Sequence, residues 1–85
     1  MNRVVAFFSA DYGTFVIGNL VSEDISSKQV RLRHPALVDW KGGSMIAFSE
    51  IYKGDEFVFR YTLAVNDASK SLQEAYRDYL NNFSA

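Results

Sequence analysis

The 85-residue chain has no cysteine, one histidine and one proline, and each shortage narrows what the protein can be. Without cysteine there is no disulfide framework and no thiolate metal site, and His34 alone cannot build an imidazole site for zinc. No metal or other cofactor is expected. Catalysis has equally little to stand on, because there is no thiol nucleophile, no Gly-rich phosphate loop and no serine in a nucleophile context near His34. The carboxylate pairs Glu23-Asp24 and Asp55-Glu56 are consecutive, so along a strand their members point to opposite faces. The expectation is a protein that is not an enzyme.

Long apolar runs are missing too: none approaches the roughly 20 residues needed to cross a bilayer. Met1 leads directly into a strand-like segment carrying Arg3, with no small-residue cleavage site, so a soluble, cytoplasmic protein without a membrane partner is expected. The net charge of −1 lacks the basic excess of a protein that coats nucleic acid by bulk attraction. Charge is uneven, however. Lys28, Arg31, Arg33, His34 and Lys41 stand against only Asp39 in the stretch from residue 28 to 41.

What the chain does have is a 48% hydrophobic content with 15% aromatics, arranged with period two over most of its length. Arg3 to Phe8 reads as a strand, followed by turn chemistry at Ala10-Asp11-Tyr12-Gly13. A second strand runs from Thr14 to Asp24, apolar on both faces in its first half, with Gly18 marking a bend or a close backbone approach. After a turn at Ile25-Ser26-Ser27, a third strand puts Val30, Leu32, Ala36 and Val38 on one side and Arg31 and Arg33 on the other, with a bulge or an unpaired edge at Pro35. Trp40-Lys41-Gly42-Gly43 ends it. The fourth strand, Ser44 to Tyr52, and the fifth, Glu56 to Leu63, flank Lys53-Gly54-Asp55, whose composition suits a hairpin turn.

After Asn66 the period changes. Leu72, Ala75, Tyr76, Tyr79, Leu80 and Phe83 fall on one face of a helix, with Asn66, Asp67 or Ser69 as candidate N-caps. The expected fold is mainly β: a small, strongly bent five-stranded antiparallel barrel over residues 1–65, followed by one C-terminal amphipathic helix over 66–83, in a single domain spanning 1–85. The apolar outer faces of the fourth and fifth strands favour an oligomer, in which they are covered and the sheet edge is paired.

The order of turns and motifs over about residues 3 to 64 resembles the Sm and LSm proteins and their bacterial relative Hfq, and in particular small Sm-like proteins of marine metagenomic and phage sequence. The first motif of that family, G-x-L-x-x-x-D, is matched by Gly18-Asn19-Leu20-Val21-Ser22-Glu23-Asp24. The second is matched in outline by Tyr52-Lys53-Gly54-Asp55-Glu56-Phe57. The family's methionine and asparagine after the aspartate are replaced by Ser27 and Lys28, so the resemblance does not carry the usual uracil selectivity with it. The C-terminal helix stands at the other end of the chain from the family's usual N-terminal one.

The resemblance implies a homo-oligomeric ring that binds RNA or single-stranded DNA at its inner rim. It would place Ser26, Ser27 and Lys28 beside Tyr52, Lys53 and Gly54, where lysines and hydroxyls suit phosphate and sugar, and Tyr52 can stack on a base. Arg31, Arg33 and His34 would form a secondary basic surface or simply the solvated face of a strand. Plainer readings stand beside these: Lys53-Gly54-Asp55 as a turn, Tyr52 as a core aromatic, Asp24 as a turn cap, and the helix stripe as packing. The rival function is a structural or protein-interaction module on the same ring-forming barrel, without nucleic acid.

Overall fold

A computed structural model describes residues 3–39, 44–48 and 53–84, with side chains as far as residue 82. The chain runs β1 (Val4–Ser9), β2 (Thr14–Asp24), β3 (Gln29–Val38), β4 (Met45–Ala47), β5 (Glu56–Arg60), β6 (Asn66–Asp67) and α1 (Lys70–Ser84). All pairings are antiparallel, in the order β4-β3-β2-β1-β6 with β5 also on β3. The protein is thus a mainly β, antiparallel sheet followed by one C-terminal helix. The ladder does not close on itself: among the described residues, ring contacts bridge from β1 to β5 and just beyond it instead, Phe7 lying 5.7 Å from Phe59 and 6.3 Å from Tyr61 between centroids.

Both sides of this curled sheet are packed. The concave side encloses Val5, Phe7, Val16, Val30, Leu32, Phe48, Phe59 and Tyr61. Tyr12, from the turn before Gly13, lays its ring edge-on against Phe48 and Phe59 at 5.1 and 6.2 Å. The convex side carries Ile17, Ala36, Val38 and Ala68, covered by Tyr76 with Leu72, Tyr79 and Leu80 of α1. Two-sided burial explains why β2 is apolar on both faces, with Val16 facing in and Ile17 facing the helix. Each fully buried side chain of this kind contributes about 1.5–3 kcal/mol relative to exposure, so neither cluster is dispensable in so short a chain.

Four expectations need correction. First, β3 does not keep one face: Val30 and Leu32 point into the concave core, whereas Ala36 and Val38 face the helix. Ile17 pairs with Ala36 but Asn19 with Arg33, so three residues of β3 are spanned against two of β2. The extra residue is accommodated at His34, whose φ of 52° is left-handed, and Pro35; one inserted residue exchanges the faces beyond it. Gly18 lies opposite this bulge, and a Cβ there would stand 3.1 Å from the Leu32 Cβ and 3.3 Å from the Pro35 Cα. The glycine marks a close backbone approach, as its position in the strand suggests.

Second, β4 and β5 are not paired with each other in the described residues. Both lie on the same edge of β3, β4 against Ala36 to Val38 and β5 against Gln29 to Arg33. The expected hairpin at Lys53-Gly54-Asp55 rests on residues 49–52, outside the described ones; the tripeptide is tied to β3 where the His34 amide donates to the Asp55 carbonyl at 2.7 Å. Residues 49–52 of the expected fourth strand lie outside the described residues. Third, the fifth strand stops at Arg60, short of the expected Leu63, which is 84% exposed.

Fourth, the helix begins at Lys70 rather than at 66. Asn66 and Asp67 pair with Ala6 and Val5 instead, and Ser69 is the cap, accepting from the Leu72 amide at 3.3 Å. Ala75 is exposed, and the packed stripe among the described side chains is Leu72, Tyr76, Tyr79 and Leu80; the Phe83 side chain lies outside them. No described helix is long and apolar enough to cross a membrane.

Candidate nucleic-acid interface

The β2–β3 turn is built by Asp24. Its Oδ1 accepts from the Ser26 amide at 3.1 Å, the Ser26 hydroxyl at 2.7 Å and the Ser27 amide at 3.4 Å. These donors, Ser26 foremost, hold the Asp24 carboxyl below its ordinary value, because each bond favours the charged form. Asp24 therefore serves the turn, and the Ser26 hydroxyl is engaged with it. Lys28 ends the turn with a left-handed φ of 54°, its amide donating to the Ile25 carbonyl at 3.3 Å.

Beside this turn lies an open cleft of about 300 Å³, lined by Ser27 and Lys28 from the turn, Arg60, Tyr61 and Thr62 from the end of β5, and Asp11 from the β1–β2 loop. The Lys28 ammonium reaches the Thr62 carbonyl at 3.4 Å, and the Tyr61 amide donates to the Lys28 carbonyl at 3.1 Å. Two cations, Lys28 and Arg60, and one carboxylate, Asp11, line the cleft. Tyr61 is itself held from outside the cleft, its hydroxyl donating to the exposed Glu23 carboxylate at 2.7 Å. That bond first, then burial and the Glu23 charge, pushes the phenol up to about 12, so it remains a donor at neutral pH.

Lys53 and Gly54 do not join this cleft. They are exposed at the far end of the β3/β5 ladder, where Asp55 meets His34. The ladder from Gln29 to Arg33 alone spans four residue steps, about 13 Å at roughly 3.3 Å each, so within one chain the two expected rim loops are separated. Gly54 has a φ of 119°, a conformation that requires glycine there. Tyr52 lies outside the described residues.

Between the two loops runs the convex face of β3 and β5. Cross-strand partners share a face, so Gln29 stands with Arg60, Arg31 with Val58, and Arg33 with Glu56. The Arg33 guanidinium holds the Glu56 carboxylate at 2.7 Å and is pushed up by it, chiefly through the hydrogen bond. Arg31 and Arg60 are diagonal neighbours, roughly 7–8 Å apart at the backbone by ladder geometry, and neither has an ion-pair partner among the described residues. Residues that the sequence divides into a rim (Ser27, Lys28, Lys53) and a secondary surface (Arg31, Arg33, His34) thus fall along one strand pair. Arg60 was missed, although its signal was present: it alternates with the inward Phe57 and Phe59 on the face of Val58.

Among the described residues no group of three or more His, Asp or Glu could hold a metal ion. The arrangement offers guanidinium, ammonium and hydroxyl donors on an open surface, which is suited to holding phosphate oxygens reversibly. Comparison with protein-family models, curated proteins and solved structures found no match to this chain.

Proposed function

We propose that this chain binds the phosphate backbone of single-stranded RNA or DNA along the β3–β5 face, as one subunit of an Sm-like homo-oligomeric ring. The observation that carries the reading is the Arg31–Arg60 diagonal, two adjacent guanidinium groups neither of which is in an ion pair among the described residues, although Glu56 and Asp24 stand diagonal to Arg31 and Asp11 lines the cleft of Arg60, continued by Lys28 at the cleft. Like charges left side by side repel, and a bound polyanion removes that cost. Multiplying a weak track around a ring raises affinity through effective concentration. The ring draws support from the outer edges of β4 and β6, which carry no ladder in the described residues, and from the exposed Ile46 on β4.

The test is fluorescence anisotropy with short labelled oligonucleotides over a salt series. Arg31→Ala and Arg60→Ala are each expected to weaken binding and to lower the slope of log affinity against log salt by about 0.7 per lost phosphate contact. Lys53→Ala, at the end of the track, should weaken binding less than either. A wild-type protein that binds no oligonucleotide at low salt, or arginine variants that bind as wild type does, would sink the reading.

A second reading, a protein-interaction module without nucleic acid, is favoured by one feature. Ile25 and Leu63, 77% and 84% exposed, flank a hollow of about 220 Å³ that also holds Glu23, Lys28 and Tyr61. Apolar side chains around a few polar groups are the usual make-up of a protein contact. Loss of a protein partner on Leu63→Ser, with no oligonucleotide binding by wild type, would select this reading.

A further inference from the structure

On the convex side, where α1 crosses the start of β1 and the middle of β2, a hollow of about 320 Å³ is lined by Val4, Asn19, Gln73, Tyr76, Arg77 and Leu80. It combines apolar walls with convergent polar groups, the usual make-up of a site for a small ring system. Tyr76 is a fixed wall: its ring is buried and its hydroxyl is committed to the His34 carbonyl at 2.6 Å. Gln73 gives its Nε2 to the Ala68 carbonyl at 2.7 Å, which leaves Oε1 as an acceptor. The half-buried Asn19 side-chain amide makes no hydrogen bond among the described residues, and it offers a donor and an acceptor side by side. Arg77 has no ion pair in the described residues, and no carboxylate lines the hollow, so it repels cations and accepts neutral or anionic groups.

Its place in the sheet suggests what it holds. Asn19 pairs directly with Arg33, so the hollow opens one strand away from the end of the basic track. We infer that this hollow receives one base of the bound strand, its hydrogen-bonding edge read by the Asn19 amide and the Arg77 guanidinium and its face packed on Val4 and Leu80. The inference rests on the strand-binding reading above and adds base selectivity to it. Side-chain amides and guanidinium groups are suited to base edges, and unstacked bases of single strands are free to enter such a hollow.

Anisotropy with short homopolymers of adenine, uracil and cytosine tests it. Wild type should prefer one of them by about tenfold, the scale of one good amide–base pair. Asn19→Ala and, independently, the exposed Arg77→Ala should bring the three affinities together, leaving the salt slope unchanged. Arg31→Ala should lower all three alike. Equal wild-type affinities, or discrimination that survives in the Arg77→Ala and Asn19→Ala proteins, overturns the base site while leaving the track intact. Absence of binding to every homopolymer overturns the track, and the base site with it.

Discussion

The Tyr76 hydroxyl donates to the His34 carbonyl at 2.6 Å, joining the middle of the helix to the one left-handed residue in β3. Burial, with Tyr79 adding to it, pushes the Tyr76 phenol up, so the donor is present across the whole physiological range. Tyr76→Phe keeps the ring and leaves the bulge carbonyl without this donor, and is expected to cost about 1–2 kcal/mol in urea denaturation. Tyr76→Ala also empties the core beneath the helix and should cost about 3–5 kcal/mol, enough to leave a domain of this size largely unfolded.

Gly18→Ala addresses the same region from the opposite strand. The added methyl would meet the Leu32 Cβ and Cδ1 at 3.1 Å and the Pro35 Cα at 3.3 Å, and the backbone of a bulge has little room to give. A loss of about 1–3 kcal/mol is expected by the same measurement. A neutral result would mean that β2 and β3 are farther apart at the bulge than described.

Alkaline pH provides a test of the Glu23–Tyr61 bond. The Tyr61 phenol is raised from 10.0 to about 12 in the folded protein, so its contribution to stability is complete below pH 10 and is lost as pH rises towards 12. In a spectrophotometric titration, Tyr61 and Tyr76 should both ionise above the ordinary tyrosine value. Tyr61→Phe should flatten the fall in stability between pH 10 and about 12 relative to wild type.

Glu56 offers a gain-of-binding prediction. Its carboxylate occupies Arg33 at 2.7 Å, so Glu56→Gln releases that guanidinium to the track. Oligonucleotide affinity should rise by about threefold, the scale of an exposed charge contact, and the salt slope should steepen. An unchanged affinity would place the end of the track at Arg31.

Light scattering coupled to size exclusion tests the ring. A discrete oligomer is expected, and Ile46→Lys on the β4 edge, away from the track, should break it into smaller species while the circular dichroism of the subunit is retained. A monomeric wild type would remove the ring and leave the track to be judged by the binding measurements alone.

Much of the fold was legible because it is set by local chemistry. Period-two apolar alternation marked the strands, the switch to a helical period marked α1, and Asp24 with two serines wrote its own turn, while Ser69 was one of three cap candidates that only the structure separated. Those signals act within a few residues and need no partner strand. Gly18 was readable for a related reason, since a glycine inside an apolar strand announces that something comes close, though not what.

Pairing decided the rest. The left-handed turn at His34 adds one residue to β3, and only the register against β2 shows that Ala36 and Val38 thereby leave the face of Val30 and Leu32. Lys53-Gly54-Asp55 lies at the far end of the β3/β5 ladder from the β2–β3 turn, so within one chain the ladder separates the two loops that motif order would have joined. Arg60 gained its significance in the same way, by lying diagonal to Arg31 across a ladder between segments distant in sequence. Sequence alone determined roughly where β1, β2, β3, β5 and α1 lie, because those preferences are local, but neither the short β6 nor the end of β5 and the start of α1. Which faces they share, and so which charges meet, was decided by non-local pairing, where a single inserted residue exchanges one side of a sheet for the other.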